Sequence, residues 1–213
     1  MKSIFTCLFF ISCLKLATAQ SVTVGPGGKP LRVSAMKEAT EGSPYFNDAY
    51  SESNIKTVGN KELLLKLVKY NLYEQQLEYT DEQGNVFAIQ DSTSSFAISD
   101  ANKILHSFTK HPSLGFVEVL LDGKTGLLKK YGVKKQTNED FYTKKKTSKW
   151  IAQNHYYLLK VNETEEFQPS SKGIAKAVGD KKDKILTYIK NEGPDLGTDA
   201  GLIAVFKYYN GLN

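Results

Sequence analysis

Apolar and polar positions alternate along this chain with two different periods, and the change of period divides it. From about residue 55 to 161, apolar side chains recur at every second position in short runs broken by turn residues, the signature of half-buried strands. Segment 62–73 is apolar and aromatic with Lys66 and Lys69 inside it, and reads as one long strand or as two with a bend. Segments 76–80 and 85–90 flank Asp81-Glu82-Gln83-Gly84, a hairpin turn. Phe96 and Ile98 alternate within 95–99, and 104–109 forms a weaker strand. In 114–121, Val117, Val119 and Leu121 share a face. Asp122-Gly123-Lys124 then turns the chain into 126–131, Asp-Gly being suited to the paired positive φ angles of a type I′ turn. His155, Tyr157, Leu159 and Val161 fall on one side of 155–161. Between Lys134 and Trp150 the chain is polar and rich in lysine, which predicts a long loop or a loosely packed hairpin.

After Pro169 the period becomes helical. Ser170 or Ser171 caps a helix carrying Ile174, Ala177 and Val178 and ended by Gly179. Asp180 caps a second, with Asp183 at the third position, an apolar stripe of Ile185, Leu186 and Ile189, and a stop at Gly193-Pro194. Thr198 caps a third, with Leu202, Ile203, Val205, Phe206 and Tyr209, ended by Asn210-Gly211. Strand follows strand without helices between, which argues against parallel βαβ units. The expected class is α+β: an antiparallel β meander, curved sheet or partly open barrel, followed by a C-terminal set of two to three α-helices.

Residues 1–19 carry a basic start at Lys2, an apolar run from Ile4 to Leu14 and Ala17-Thr18-Ala19, and so read as a secretory signal peptide cleaved near Ala19. The expected organisation is a signal peptide (1–19), an extended arm (20–43), an antiparallel β-rich region (44–168) and a helical region (169–213). Cys7 and Cys13 both lie in the leader, so the mature chain is cysteine-free and relies on its core for stability. Disulfide scaffolds, thiol catalysis and cysteine-based zinc sites are thereby excluded. Phe10-Ile11-Ser12-Cys13 is a poor lipobox and leaves lipidation at Cys13 as a minor alternative. No later stretch approaches the length of a membrane helix.

Removing the leader with its two lysines takes the formal charge from +5 to +3, too mild for a nucleic-acid footprint. Arg32 is the sole arginine, which disfavours bidentate reading of phosphate or carboxylate. The charge is instead concentrated locally. Lys129, Lys130, Lys134, Lys135, Lys144, Lys145, Lys146 and Lys149 crowd residues 129–149, interleaved with Tyr131, Phe141, Tyr142 and followed by Trp150. Such a stretch suits an anionic polymer or an anionic membrane face. Lys129, Lys130, Lys134, Lys135, Lys144, Lys145, Lys146 and Trp150 are the candidate binding residues.

Catalytic patterns are weak. His106, His111 and His155 have no metal-ligand spacing and no cysteine or acidic run beside them. No Gly-x-Ser-x-Gly elbow is present. Glu139-Asp140 and Glu165-Glu166 are adjacent pairs in polar loops and form no two-carboxylate site. Gly25-Pro26-Gly27-Gly28-Lys29-Pro30 lacks the Gly-Lys-Ser/Thr ending of a phosphate loop. No catalytic residue, metal site or cofactor is assigned.

Several pieces in order, over residues 42–212, resemble a group of uncharacterised secreted proteins of the Bacteroidota. They are Gly42-Ser43-Pro44-Tyr45-Phe46-Asn47-Asp48; Val68-Lys69-Tyr70-Asn71-Leu72-Tyr73 with Leu77-Glu78-Tyr79; Val119-Leu120-Leu121-Asp122-Gly123-Lys124 with Leu127-Leu128-Lys129-Lys130-Tyr131; and Asp180-Lys181-Lys182-Asp183-Lys184-Ile185 with Tyr188-Ile189-Lys190 and Tyr208-Tyr209-Asn210-Gly211-Leu212. The resemblance implies a β region followed by a helical tail, and carries no activity. At Thr57-Val58-Gly59-Asn60-Lys61 the chain lacks the Asp-Gly-Lys turn of that group. The expected function is that of an exported, non-enzymatic binding or interaction protein of the periplasm or cell envelope. One alternative is a carrier or chaperone for an apolar ligand in a curved sheet; a second is a hydrolase with an atypical site. The expected partner is an envelope protein or an apolar small molecule, with peripheral membrane contact open and nucleic acid disfavoured.

Overall fold

A computed structural model gives the fold and describes residues 39–89, 93–161 and 163–212. The segment expected to be a signal peptide, with Cys13, and the glycine-rich part of the expected arm lie outside the described residues. The strands are β1 (Ala39–Glu41), β2 (Ser51–Thr57), β3 (Glu62–Asn71), β4 (Gln76–Thr80), β5 (Val86–Ile89), β6 (Thr93–Ser99), β7 (Leu105–His111), β8 (Gly115–Leu121), β9 (Gly126–Lys130), β10 (Val133–Glu139), β11 (Lys146–Ala152), β12 (His155–Leu159) and β13 (Thr164–Phe167). The helices are α1 (Ser171–Val178), α2 (Lys182–Glu192) and α3 (Asp199–Gly211). Ten strands form one antiparallel sheet in the order β13-β12-β9-β8-β7-β6-β2-β3-β4-β5, and β1-β11-β10 form a small second sheet. The expected α+β class is what the structure shows: a large open antiparallel sheet followed by three helices.

The large sheet curls on itself without closing. Strands β5 and β6 are four places apart, about 19 Å in a flat sheet. Yet only four chain steps join Ile89 to Thr93, a reach of about 14 Å at most. Gln75 Nε2, in the β3–β4 turn, also donates to the Tyr131 carbonyl beyond β9 at 3.1 Å. Inside the curl Tyr70, Phe96, Phe108 and Phe116 pack ring on ring, with Ile55, Val68, Leu77 and Ile98 around them. A bulge in β3 between the partners of Ser51 and Ser53 moves the buried face from Leu65 to Val68, which explains the uneven apolar spacing of that strand.

One row of cross-strand neighbours runs along a single face of the sheet. Ile55, Phe96, Phe108, Glu118, Lys129, Tyr156 and Phe167 pair successively from β2 to β13. Up to β8 that face is buried by the curl. From β9 onward it is buried by the helices, where Leu127, Tyr156, Leu158 and Phe167 meet Ile174, Ile185, Leu202, Val205 and Phe206. Both apolar cores therefore lie on the same face, and Glu118 and Lys129 mark the seam.

The caps agree with expectation at two helices. Ser170 Oγ accepts from the Gly173 amide at 3.2 Å, and Thr198 Oγ1 accepts from the Gly201 amide at 3.1 Å. The second differs: α2 begins at Lys182 after a single 3₁₀ turn, with no side-chain cap, and Asp183 lies in its first turn. Gly193 ends α2 in the left-handed conformation. The Asp122–Gly123 turn is a four-residue loop rather than a two-residue type I′ turn, because Asn210 of α3 docks on it. Asn210 Oδ1 accepts from the Thr125 amide at 3.0 Å and its Nδ2 donates to the Thr125 carbonyl at 2.9 Å.

Other segments depart from the sequence reading. Thr57–Lys61 closes the first hairpin without Asp-Gly-Lys, through Asn60 at φ 58° and two hydrogen bonds between Thr57 and Lys61. Glu165 and Glu166 lie on β13, not in a loop, and point apart: Glu165 to Lys160 at 2.6 Å, Glu166 to His155 at 2.7 Å. Residues 39–41 of the expected arm are a strand, parallel to β11. The lysine-rich stretch takes the second of its two expected forms, a hairpin with almost no core, β10–β11, paired along its whole length.

Candidate functional site

The β10–β11 hairpin owes its form to alternation without a core. Six of the seven residues of β10 are exposed, and on β11 only Ser148 is buried. Register pairs Lys135 with Trp150, Thr137 with Ser148 and Glu139 with Lys146 on one face. Lys134 with Ile151 and Gln136 with Lys149 occupy the other. The base is anchored where Trp150 packs edge-on against Tyr73, ring centroids 5.1 Å apart, and where the Gln153 amide donates to the Gly132 carbonyl. Thr137 and Ser148 hydroxyls meet at 2.7 Å across the ladder.

Its tip is ordered by one carboxylate. Asp140 Oδ1 accepts from the Tyr142 and Thr143 amides at 3.1 and 2.7 Å and from Thr143 Oγ1 at 2.8 Å. These bonds, the Thr143 amide first, hold the exposed carboxyl below the usual aspartate range. The Asp140 amide donates to the Lys145 carbonyl, and the Lys144 amide to the Asp140 carbonyl. This turn thrusts out Phe141 and Tyr142, 77% and 89% exposed, with Lys144 Nζ 5.0 Å from the Phe141 ring centre. Glu139 sits between Lys144 and Lys146 at 3.8 and 3.7 Å.

The eight candidate residues thus separate into three groups. Lys144, Lys145 and Lys146 gather at the tip. Lys134 and Lys135 lie along the arm on opposite faces, with Trp150 at its base beside Lys135. Lys129 and Lys130 are not on the arm. Lys130 is half-buried on β9. Lys129 is buried under the helices, its ammonium 2.7 Å from Asp199 Oδ2 and 4.4 Å from the Tyr131 ring centre. Asp199 begins α3, where the helix N-terminus favours a carboxylate.

Beside Lys129 lies a polar cluster drawn from several strands and α3. His106 Nδ1 is 2.8 Å from Glu118 Oε1, and the Tyr131 hydroxyl donates to Glu118 Oε2 at 2.6 Å. Phe46 packs edge-on to both His106 and Tyr131. Asp100 Oδ2 stands 3.6 Å from His106 Nε2. Burial, then Glu118, pushes the Tyr131 phenol well up, and burial with Asp199 does the same at Tyr156. These bonds join β7, β8 and the end of β9 on one side of the seam, and β9, β12 and α3 on the other.

The three histidines are apart, each with its own partner: Glu118, the Thr164 hydroxyl and Glu166. No group of three potential metal ligands occurs among the described residues. A largely apolar recess of about 530 Å³ is an open groove by Leu65, Leu67, Tyr79 and the β4–β5 turn. The interior of the curl is filled by aromatic rings.

Sequence reasoning underrated Phe141 and Tyr142. The signal was present: their i±2 neighbours are Glu139, Thr143, Asp140 and Lys144, so neither ring has an apolar row to join. No helix of the described residues is long and apolar enough to cross a membrane. No protein family, curated protein or solved structure matches the chain.

Proposed function

We propose that this chain is an exported, non-enzymatic binding protein of the cell envelope, and that the β10–β11 arm makes its contact with an anionic partner surface. The observation that carries this reading is the arm itself. It is an exposed hairpin bearing Lys134, Lys135, Lys144, Lys145, Lys146 and Lys149 against Glu139 and Asp140, with two uncovered aromatics on an ordered tip. Export is supported by the leader. The filled curl favours surface contact over carriage of an apolar ligand, since an enclosed ligand needs an apolar cavity.

The mature chain, from Gln20, should be retained on a sulfated polysaccharide matrix and eluted by salt, because screening weakens exposed charge contacts. Replacing Lys134, Lys135, Lys144, Lys145, Lys146 and Lys149 by Gln should abolish retention with the fold intact by circular dichroism. Unchanged retention of that variant would overturn the arm as the contact.

A further inference from the structure

We infer that the anionic surface is a lipid bilayer and that the arm docks on it end-on, with Phe141 and Tyr142 seated at the headgroup boundary. The inference rests on the binding reading above and adds the partner's chemistry. Three observations carry it. First, the apolar part of the arm is convex: two adjacent rings at a turn, centroids 5.4 Å apart, nearly wholly exposed. A sulfated glycan is met chiefly by cations and stacks sugar faces on rings laid along its chain, for which two rings at 88° to each other on a protruding turn are poorly placed. The boundary of a bilayer accepts such rings directly, with their polar edges in the headgroups.

Second, the cations stand where headgroups would be. Lys144, Lys145 and Lys146 follow the two rings after Thr143, and all three are exposed. With the rings inserted, their stems lie along the apolar zone and their ammoniums reach phosphate depth. Point charges rather than planar forks suffice, in keeping with an arm that has lysines and no arginine between Val133 and Ala152. Third, the tip is organised before contact. Asp140 ties down the Tyr142 and Thr143 amides, so little ordering cost remains at docking. Asp140 and Glu139 are the acids at the tip; both are exposed, and both are engaged, Asp140 by two amides and a hydroxyl and Glu139 by Lys144 and Lys146.

The test uses the full mature chain and vesicles of equimolar phosphatidylglycerol and phosphatidylcholine, beside vesicles of phosphatidylcholine alone and the sulfated polysaccharide. Wild type should bind the mixed vesicles, with weak binding to neutral ones. F141S/Y142S should lose about tenfold on mixed vesicles, in proportion to the apolar surface no longer buried, and keep its retention on the polysaccharide. Each lysine of 144–146 changed to Gln should cost about fivefold at low salt. Both rings are exposed, so folding is not at issue; near-UV dichroism of the variant checks it. Trp150 is the sole tryptophan and lies at the base of the arm. Its fluorescence should therefore escape quenching by acyl-chain-brominated lipid, whereas Tyr142→Trp in a Trp150→Phe background should be quenched. Retention on the polysaccharide without vesicle binding overturns the bilayer and leaves the arm reading standing. Loss of both removes both. Equal vesicle binding by F141S/Y142S overturns the inserted tip.

Discussion

Glu118 and Lys129 are cross-strand neighbours on β8 and β9 in the middle of an otherwise apolar row, and each makes its bonds elsewhere. Glu118 is divided between His106 and Tyr131, and Lys129 reaches Asp199. Each charge is thereby satisfied by a neighbour from a different element, which ties the curl to the helices. Lys129→Met should cost about 1–3 kcal/mol, measured by urea denaturation. That is below the loss of about 3–5 kcal/mol for a fully buried pair, because Asp199 keeps a third of its exposure and the Tyr156 hydroxyl. The tyrosines give a pH signature. Burial holds Tyr70, Tyr131 and Tyr156 above the usual phenol value, the latter two with help from Glu118 and Asp199. Their folded values are raised, so the stability they lend is complete below about pH 10, the unfolded value, and is lost as pH climbs beyond it. Tyrosinate absorbance should show these three ionising only together with loss of near-UV dichroism; ionisation in an intact fold would count against their burial.

At the scale of elements, local signals and tertiary demands meet at the helix ends. The Thr198 hydroxyl satisfies an amide of α3 that has no partner within the helix, so Thr198→Ala should destabilise by about 1 kcal/mol. Lys181, before α2, makes no such bond, and its ammonium bonds the Leu212 carbonyl and lies over the Tyr209 ring instead. There a cap is given up for a contact with the end of α3. The β10–β11 arm shows the opposite balance, with register but almost no burial. Replacing residues 140–145 by Asn-Gly, a two-residue hairpin turn, should leave the thermal midpoint within a degree or two of wild type while removing vesicle binding. A large fall in the midpoint would show that the tip supports the fold.

Across the whole molecule, both cores share one sheet and one face, so they should melt together. Phe108→Ala in the curl and Leu202→Ala under the sheet should each cost about 2–5 kcal/mol. Both should lower the same single transition, seen by aromatic and by far-UV dichroism alike. Two separate transitions would mean that the seam at Glu118 and Lys129 couples them weakly.

Strand and helix positions were legible because they depend on near neighbours: alternation in 95–99 and 126–131, Ser170 and Thr198 before apolar stripes, Gly193-Pro194 after one. What joined them was not legible. The β3 bulge that carries the buried face from Leu65 to Val68, and the docking of Asn210 that enlarges the Asp122 turn, answer to partners distant in the chain. The same holds for the binding candidates. Counting lysines placed Lys129 with Lys144, but a one-residue step on a strand reverses the face, and Lys129 steps inward to Asp199. By itself the sequence determined the elements, the change of period after Pro169 and the local excess of lysine. Only the tertiary structure decided which lysines and aromatics meet the outside, because facing is set by the curl and the packed helices, not by composition.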